Sequence, residues 1–188
     1  MINSKTICCC LLLILTLVSC KKNEEFNSDL PDRVELNEAV IFLNGEMNEE
    51  YSSINVYNRE VYNIMAYGFT NPHPEIAGVT AFSFDRCPRS VGRFALTNDE
   101  DAAVTDETVC SAGMSQTVDE DLGGQEFELH EDSDNYLEIT ELDYENEIAG
   151  GHFKVKFKRT SNGGSSFSNV KLPKWVTFEG IFRHEFKE

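Results

Sequence analysis

Three groups of closely spaced carboxylates suggest the first possible chemistry of this 188-residue chain. Ca²⁺ prefers several carboxylate and carbonyl oxygens that converge on a flexible loop, and residues 99–101, 119–121 and 131–135 could supply them. The third group begins with the Asp132-x-Asp134 spacing of an EF-hand loop. However, Tyr136 stands where the next ligand belongs, and no glycine follows at the sixth position. We therefore predict solvated turns and no metal site, with calcium binding as the alternative.

Residues that could carry catalysis do not form a recognisable pattern. The chain has no HExxH motif, nucleophile elbow, P-loop or dinucleotide fingerprint. Its four histidines lie far apart in the sequence, at His73, His130, His152 and His184. We expect surface or turn positions for them, no cofactor and no enzymatic activity. An envelope hydrolase with paired carboxylates is the competing hypothesis.

The N-terminal residues have the pattern of an export signal. Lys5 precedes an apolar run of about thirteen residues that ends at Val18, shorter than the ~20 residues of a membrane-spanning helix. Leu17-Val18-Ser19-Cys20 resembles the lipobox of bacterial lipoproteins. The resemblance implies that residues 1–19 are a signal peptide and that Cys20 carries fatty acyl chains such as palmitate, which would hold the protein on a membrane. A soluble secreted protein, cleaved elsewhere, is the alternative.

The residues after Cys20 bear on sorting and on domain organisation. Lys21 and Lys22 stand where an Asp would resemble an inner-membrane retention signal, so we expect an outer-membrane lipoprotein on the periplasmic or the surface face. Residues 20–36 are polar and are predicted to form a flexible tether. Residues 37–188 show no linker or repeat and are predicted to form one domain.

Two cysteines remain once those of the signal and Cys20 are set aside. Cys87 and Cys110 would lie in an oxidising compartment, where a lone pair tends to form a disulfide. Closing a loop of this length would stabilise the fold by ~3 kcal/mol. We predict this disulfide; two buried thiols and a metal site are the alternatives.

Alternating hydrophobicity predicts an all-β fold. Phe153, Val155 and Phe157 alternate with lysines at 154, 156 and 158, as in a strand with one wet face. Similar short runs, separated by turn formers such as Asn44-Gly45, recur along the chain, and no segment has sustained helical periodicity. We predict about eight or nine strands in an antiparallel meander that forms a β-barrel or a β-sandwich.

Charge is distributed unevenly along the chain. The formal net charge is −17, from 33 acidic and 16 basic residues. Such a chain is a poor partner for nucleic acid or for anionic headgroups. Residues 94–153 contain eighteen acidic and no basic residues, and residues 154–188 contain eight basic and three acidic ones. We expect the lysines of 153–158 to lie beside the acidic face of 136–142, because cross-strand pairs of opposite charge are stabilising.

Aromatic residues could form a ligand platform. Trp175 is the single tryptophan and follows Lys174, and exposed rings of this kind stack on sugar faces. We expect the rings to fill the core, and a ligand platform is the alternative. Four tyrosines cluster in the N-terminal strands: Tyr51, Tyr57, Tyr62 and Tyr67.

The C-terminal half resembles a family of Bacteroidetes lipoproteins of unknown function. The resemblance rests on Tyr-Leu-Glu-Ile-Thr-Glu-Leu-Asp at 136–143, Gly-Gly-His-Phe at 150–153 and Phe-Glu-Gly-Ile-Phe at 178–182. It implies an all-β domain and a cell-envelope location, and it brings no catalytic residues. The chain departs from the family pattern at Gly150-Gly151-His152, where Gly-Thr is usual.

Together these observations predict a lipid-anchored, extracytoplasmic binding or interaction module. Its partners would be the membrane, through the anchor, and an unidentified envelope protein or glycan. A calcium-dependent or carbohydrate-binding surface lipoprotein is the alternative.

Overall fold

A computed structural model describes residues 30–47, 53–59, 64–73, 78–118, 122–161 and 172–187. This part of the chain contains eleven strands and one short helix, α1 (Glu100–Thr105). The strands are β1 (Glu38–Leu43), β2 (Glu46–Met47), β3 (Ser53–Arg59), β4 (Ile64–His73), β5 (Gly78–Pro88), β6 (Gly92–Thr97), β7 (Val109–Val118), β8 (Leu122–Leu129), β9 (Tyr136–Asp143), β10 (Ile148–Ser161) and β11 (Trp175–Lys187). The all-β prediction is confirmed.

The strands form one mixed sheet with a ring-like arrangement. Its hydrogen-bonded neighbours run from β11 through β3, β4, β5, β7, β8 and β10 back to β11. The long strands β7 and β10 each change partner along their length. β7 pairs first with β6 and then with β8, and β10 pairs first with β9 and then with β8. One tier of the ring is therefore completed by β8 and the other by β6 and β9.

The topology departs from the predicted antiparallel meander. Two strand pairs are parallel, and β6 lies between β7 and β9 rather than beside β5. β3 pairs in parallel with β11, and β6 pairs in parallel with β7. A parallel pair needs a crossover connection, because a tight hairpin can only reverse the chain. The segment with α1 provides that crossover between β6 and β7. The described ranges contain eleven strands, against the eight or nine predicted. The helix, at six residues, is too short to show helical periodicity in the sequence.

Aromatic side chains fill the interior of the ring. The alternation in β10 is realised as predicted, since Phe153, Val155 and Phe157 have no exposed surface. Ring centroids lie 4.8 Å apart for Phe69 and Phe82, and 4.3 Å apart for Phe82 and Phe178, both in stacked geometry. Rings from opposite walls of the ring thus meet in its centre. Some polar side chains are buried as well, among them Asn71, Thr80, Gln116 and Gln125.

One glycine permits close packing against this core. Gly180 of β11 lies opposite Phe153 of β10. A Cβ atom at position 180 would come 2.6 Å from the Phe153 ring and 2.9 Å from the Val40 carbonyl oxygen. The strands β1 and β10 can therefore flank β11 only because this residue has no side chain.

The predicted charge pairing is realised with different partners. β9 does lie beside β10, with Glu138 opposite His152. Lys154, however, pairs with Glu179 of β11, at 3.0 Å between Nζ and Oε1. Because β9 ends its pairing with β10 at Lys154, the lysines further along β10 lie beyond β9 and next to β8.

Several predicted features fall on residues that the structure does not describe. Residues 1–29 are among them, so the signal peptide and the lipidation of Cys20 stay predictions. Val34, which belongs to the predicted tether, is buried. Within the described ranges, no helix has the length and apolar character needed to span a membrane.

Candidate functional site: a basic aromatic platform on β8, β10 and β11

An exposed tryptophan surrounded by cationic side chains is the most distinctive surface feature of the described chain. Trp175 begins β11 and keeps 38% of its surface exposed. Three lysine ammonium groups and one histidine ring surround its indole. We call this group the Trp175 platform: Trp175, His130, Lys156, Lys158 and Lys174.

The three ammonium groups lie at nearly equal distances from the indole. The Nζ atoms of Lys156, Lys158 and Lys174 are 5.8, 5.9 and 5.8 Å from the ring centroid. These distances are within the range of cation–π attraction, which at exposed sites contributes ~0.5–1 kcal/mol. The His130 ring lies 4.7 Å from the indole at an angle of 50°. The indole is thus held on one side by an imidazole and bordered by positive charge.

Strand register places these side chains together. Lys158 is the cross-strand partner of Trp175 in the antiparallel β10–β11 pair. Lys156 is two residues away on the same face, as the period of a strand requires. Lys174 directly precedes Trp175, and its carbonyl oxygen accepts a hydrogen bond of 2.8 Å from the Arg159 backbone N–H.

Hydrogen bonds from neighbouring turns fix the backbone of the platform. The His130 N–H donates to the Lys156 carbonyl oxygen at 2.8 Å. The Asn135 side chain joins the same two residues: its Nδ2 donates to the His130 carbonyl at 2.7 Å, and its Oδ1 accepts from the Lys156 N–H at 2.8 Å. The Asn44 side chain accepts a bond of 2.9 Å from the Thr177 N–H. The platform therefore rests on an ordered backbone.

The electrostatic character of the platform differs from that of the whole protein. No carboxylate of the described residues lies within ion-pair distance of the three ammonium groups. Glu128 of β8 is the cross-strand neighbour of Lys158 and is the acidic residue in register with the platform. Charges further away than the Debye length of about 8 Å are largely screened. The platform is thus a local positive surface on a chain of net charge −17.

Two of the three carboxylate groups considered for calcium contain a residue with a structural contact. Asp99 is the N-cap of α1, and its Oδ1 accepts hydrogen bonds from the N–H groups of Asp101 and Ala102. Asp134 lies 3.6 Å from the Arg93 guanidinium. Residues 119–121 lie outside the described chain. Among described residues, no group of three or more His, Cys, Asp or Glu side chains is placed to hold a metal ion.

The histidines are dispersed, as the sequence suggested. His152 Nε2 lies 3.2 Å from Glu138, and His184 Nδ1 lies 2.7 Å from the Glu185 carbonyl oxygen. His73 ends β4. His130 has a role that the sequence did not reveal, because its contact with Trp175 depends on how the end of β8 lies beside β10.

The two cysteines come together in the core. Cys87 and Cys110 are both thiols with no exposed surface. Burial raises the pKa of the Cys87 thiol well above its ordinary value, and a hydrogen bond with Cys110 raises it further. The buried hydroxyl of Tyr67 has its pKa raised by burial and then by the two neighbouring sulfurs. The two thiols are in contact, and the disulfide itself stays a prediction.

The tyrosines that the structure describes do not extend the platform. Tyr67 has no exposed surface and packs in the core, as expected. Tyr57 is exposed on β3, and Tyr51 and Tyr62 lie outside the described residues. The ring in contact with Trp175 is His130.

Comparisons of the chain with family models, with curated proteins and with solved structures give no match.

Proposed function

We propose that the protein is a lipid-anchored, extracytoplasmic binding module of the bacterial outer membrane, without enzymatic activity, and that its strand ring is a closed β-barrel. The observation that carries the binding function is the Trp175 platform. An indole with 38% of its surface exposed, bordered by three ammonium groups without carboxylate partners among described residues, provides both a stacking face and charge. The anchor and location rest on the lipobox-like residues 17–20.

The aromatic-filled interior supports a binding role for the outer surface. Large side chains occupy the centre of the ring, including Phe69, Phe82, Phe153 and Phe178. A packed interior leaves the sheet as a rigid scaffold, and sites on strands are held more accurately than sites on loops. The ligand would therefore meet a preformed surface on β10 and β11.

The anchor is tested by replacing Cys20 with alanine in the full chain expressed in a bacterial host with an outer membrane. The wild-type protein is expected in the membrane fraction, and Cys20→Ala in the soluble fraction. Cys10→Ala, which changes a cysteine of the predicted signal, serves as the matched control and should stay with membranes. Sedimentation of Cys20→Ala with membranes would show that lipidation at this residue is not the anchor.

The extracytoplasmic location is tested through Cys87 and Cys110. Oxidation joins the two Sγ atoms and releases two protons and two electrons, which an envelope thiol oxidase of the disulfide-donating class would accept. Protein isolated from envelopes and denatured in a thiol-alkylating reagent should be unmodified at both residues, and modified at both after reduction. Modification of both without reduction would contradict an oxidised pair.

A further inference from the structure

Resting on the proposed binding function, we infer that the ligand of the Trp175 platform is an acidic carbohydrate, with a sugar ring stacked on the indole and a carboxylate or sulfate group held by the lysines. The inferred stacking of a sugar rests on the Trp175 indole. Trp175 has an accessible surface on the outside of the sheet, and the apolar C–H face of a sugar ring complements such a surface.

The inferred acidic group of the ligand rests on the arrangement of the three lysines. The three ammonium groups lie within 5.9 Å of the indole centroid, so their positive charges add up around the ring. The chain has 33 acidic residues, yet no described carboxylate pairs with these three groups. An external anion would supply the opposite charge, and a neutral sugar would not.

The surroundings of the platform limit the ligand to a few charges. Glu128 lies beside Lys158 on β8, and the net charge of the chain is −17. A nucleic acid presents a phosphate at every step, so its strand would continue from the lysines over acidic surface. A carbohydrate with one acidic group on a ring matches the size of the platform better. The observations therefore favour the acidic carbohydrate over a nucleic acid.

The position of the tryptophan allows a direct binding assay. Trp175 is the single tryptophan of the chain, so intrinsic indole fluorescence reports on the platform alone. The purified protein is titrated with three disaccharide probes: the shortest oligogalacturonate, its methyl ester and a heparin-derived disaccharide. A single-stranded oligonucleotide and phosphatidylglycerol vesicles are titrated in parallel. The methyl ester keeps the sugar rings and removes the carboxylate charge. Oligogalacturonate and the sulfated probe separate a carboxylate from a sulfate as the recognised group.

We expect a saturable change of fluorescence with at least one acidic probe and an affinity at least ten times lower for the methyl ester. Raising the salt concentration should weaken the binding of the acidic probe. The triple variant Lys156→Gln, Lys158→Gln, Lys174→Gln keeps the fluorescent reporter and should lose at least tenfold in affinity. Its melting temperature, measured alongside, shows whether the variant is folded.

Single substitutions provide the matched control. Lys158→Gln removes an exposed cation opposite the first residue of β11, and Lys187→Gln removes an exposed cation at the last residue of β11. Lys158→Gln should lower the affinity for the acidic probe several-fold, and Lys187→Gln should leave that affinity unchanged. Equal losses in both would show that net charge, and not the platform, governs binding.

Other outcomes separate this inference from the proposed function. Equal affinity for oligogalacturonate and its methyl ester would overturn the inference and leave a binding platform. Binding of a single-stranded oligonucleotide or of phosphatidylglycerol vesicles, with no response to the acidic sugars, would overturn it in favour of those ligands. No response to any probe would also overturn it, while the anchor test with Cys20→Ala is independent of all these results.

Discussion

The outward face of the β10–β11 pair has two ends that use the same residue type in opposite ways. At one end Lys154 lies against Glu179, and the two side chains are only 7% and 13% exposed. At the other end Lys156 and Lys158 border Trp175, with no described carboxylate in ion-pair distance. We call them the paired end and the platform end. The alternating lysines of β10 are equivalent in sequence, and the partner that β11 supplies makes them different.

This difference distinguishes the charges that stabilise the fold from those that are available to bind a ligand. A buried lysine needs its carboxylate, because an uncompensated charge in a dry site is costly. An exposed lysine is solvated and has no such requirement. Substitutions at the paired end should therefore change stability, and substitutions at the platform end should change binding.

The largest effect is expected from Glu179→Ala. This change removes the carboxylate 3.0 Å from the Lys154 Nζ and leaves a buried ammonium group. Breaking such a pair on one side costs about 3–5 kcal/mol, measurable as a loss in the free energy of unfolding by urea titration. The double variant Lys154→Met, Glu179→Leu removes both charges and should recover most of the loss. A loss below about 1 kcal/mol in the single variant would show that Lys154 does not depend on this partner.

Gly180→Ala tests the close packing next to the paired end. The new methyl group would meet the Phe153 ring at 2.6 Å and the Val40 carbonyl at 2.9 Å. Overpacking of this kind costs about 1–3 kcal/mol, again measured by urea unfolding. Gly113→Ala on β7 is the matched control, because nothing lies within 4 Å of the added Cβ. Equal effects at the two glycines would contradict the packing described for β1, β10 and β11.

The platform end should tolerate the loss of its charges. The triple variant Lys156→Gln, Lys158→Gln, Lys174→Gln is expected to lose at most the cation–π attraction, about 0.5–1 kcal/mol for each lysine. Urea is the suitable denaturant, because a salt would screen the charges under test. Lys154→Gln, with one substitution at the paired end, should destabilise more than these three together. The reverse order would remove the distinction between the two ends.

The smallest effect concerns a second ion pair of β11. Arg183 donates two hydrogen bonds to Glu141, of 2.7 and 2.9 Å, and they hold the pKa of Glu141 below its ordinary value. A lowered pKa in the folded state means that the stabilisation is present at neutral pH and is lost as the pH falls through that pKa. The melting temperatures of Glu141→Gln and of the wild type, measured as a function of pH, should therefore converge towards acid pH. Parallel curves would show that this pair does not contribute to acid sensitivity.

Local features of the fold could be predicted from the sequence, and long-range ones could not. The alternation of Phe153, Val155 and Phe157 predicted both a strand and its buried face. Asn44-Gly45 predicted a turn, and the two residues connect β1 and β2 with φ angles of 53° and 87°. The parallel pairs β3–β11 and β6–β7 were missed. Nothing local indicates that β3 pairs with a strand as distant in sequence as β11, and α1 is too short to indicate a crossover between β6 and β7.

The candidate site was predicted in part for the same reason. Trp175 and Lys174 are neighbours in sequence, and their pairing was visible. Lys158 and His130 join them through strand register, which no local pattern specifies. Asp99 could have been interpreted as an N-cap from the acidic residues that follow it, since a carboxylate at that position serves a helix as readily as a metal.

Quenching of the Trp175 fluorescence by ions of opposite charge tests the central claim most directly. Iodide concentrates near positive charge and caesium near negative charge. The quenching rate constant for each ion is divided by that for free N-acetyltryptophanamide. The Trp175 platform predicts stronger quenching by iodide than by caesium on this protein of net charge −17, with the order reversed in the triple lysine variant. Stronger quenching by caesium in the wild type would contradict a positive surface around the indole.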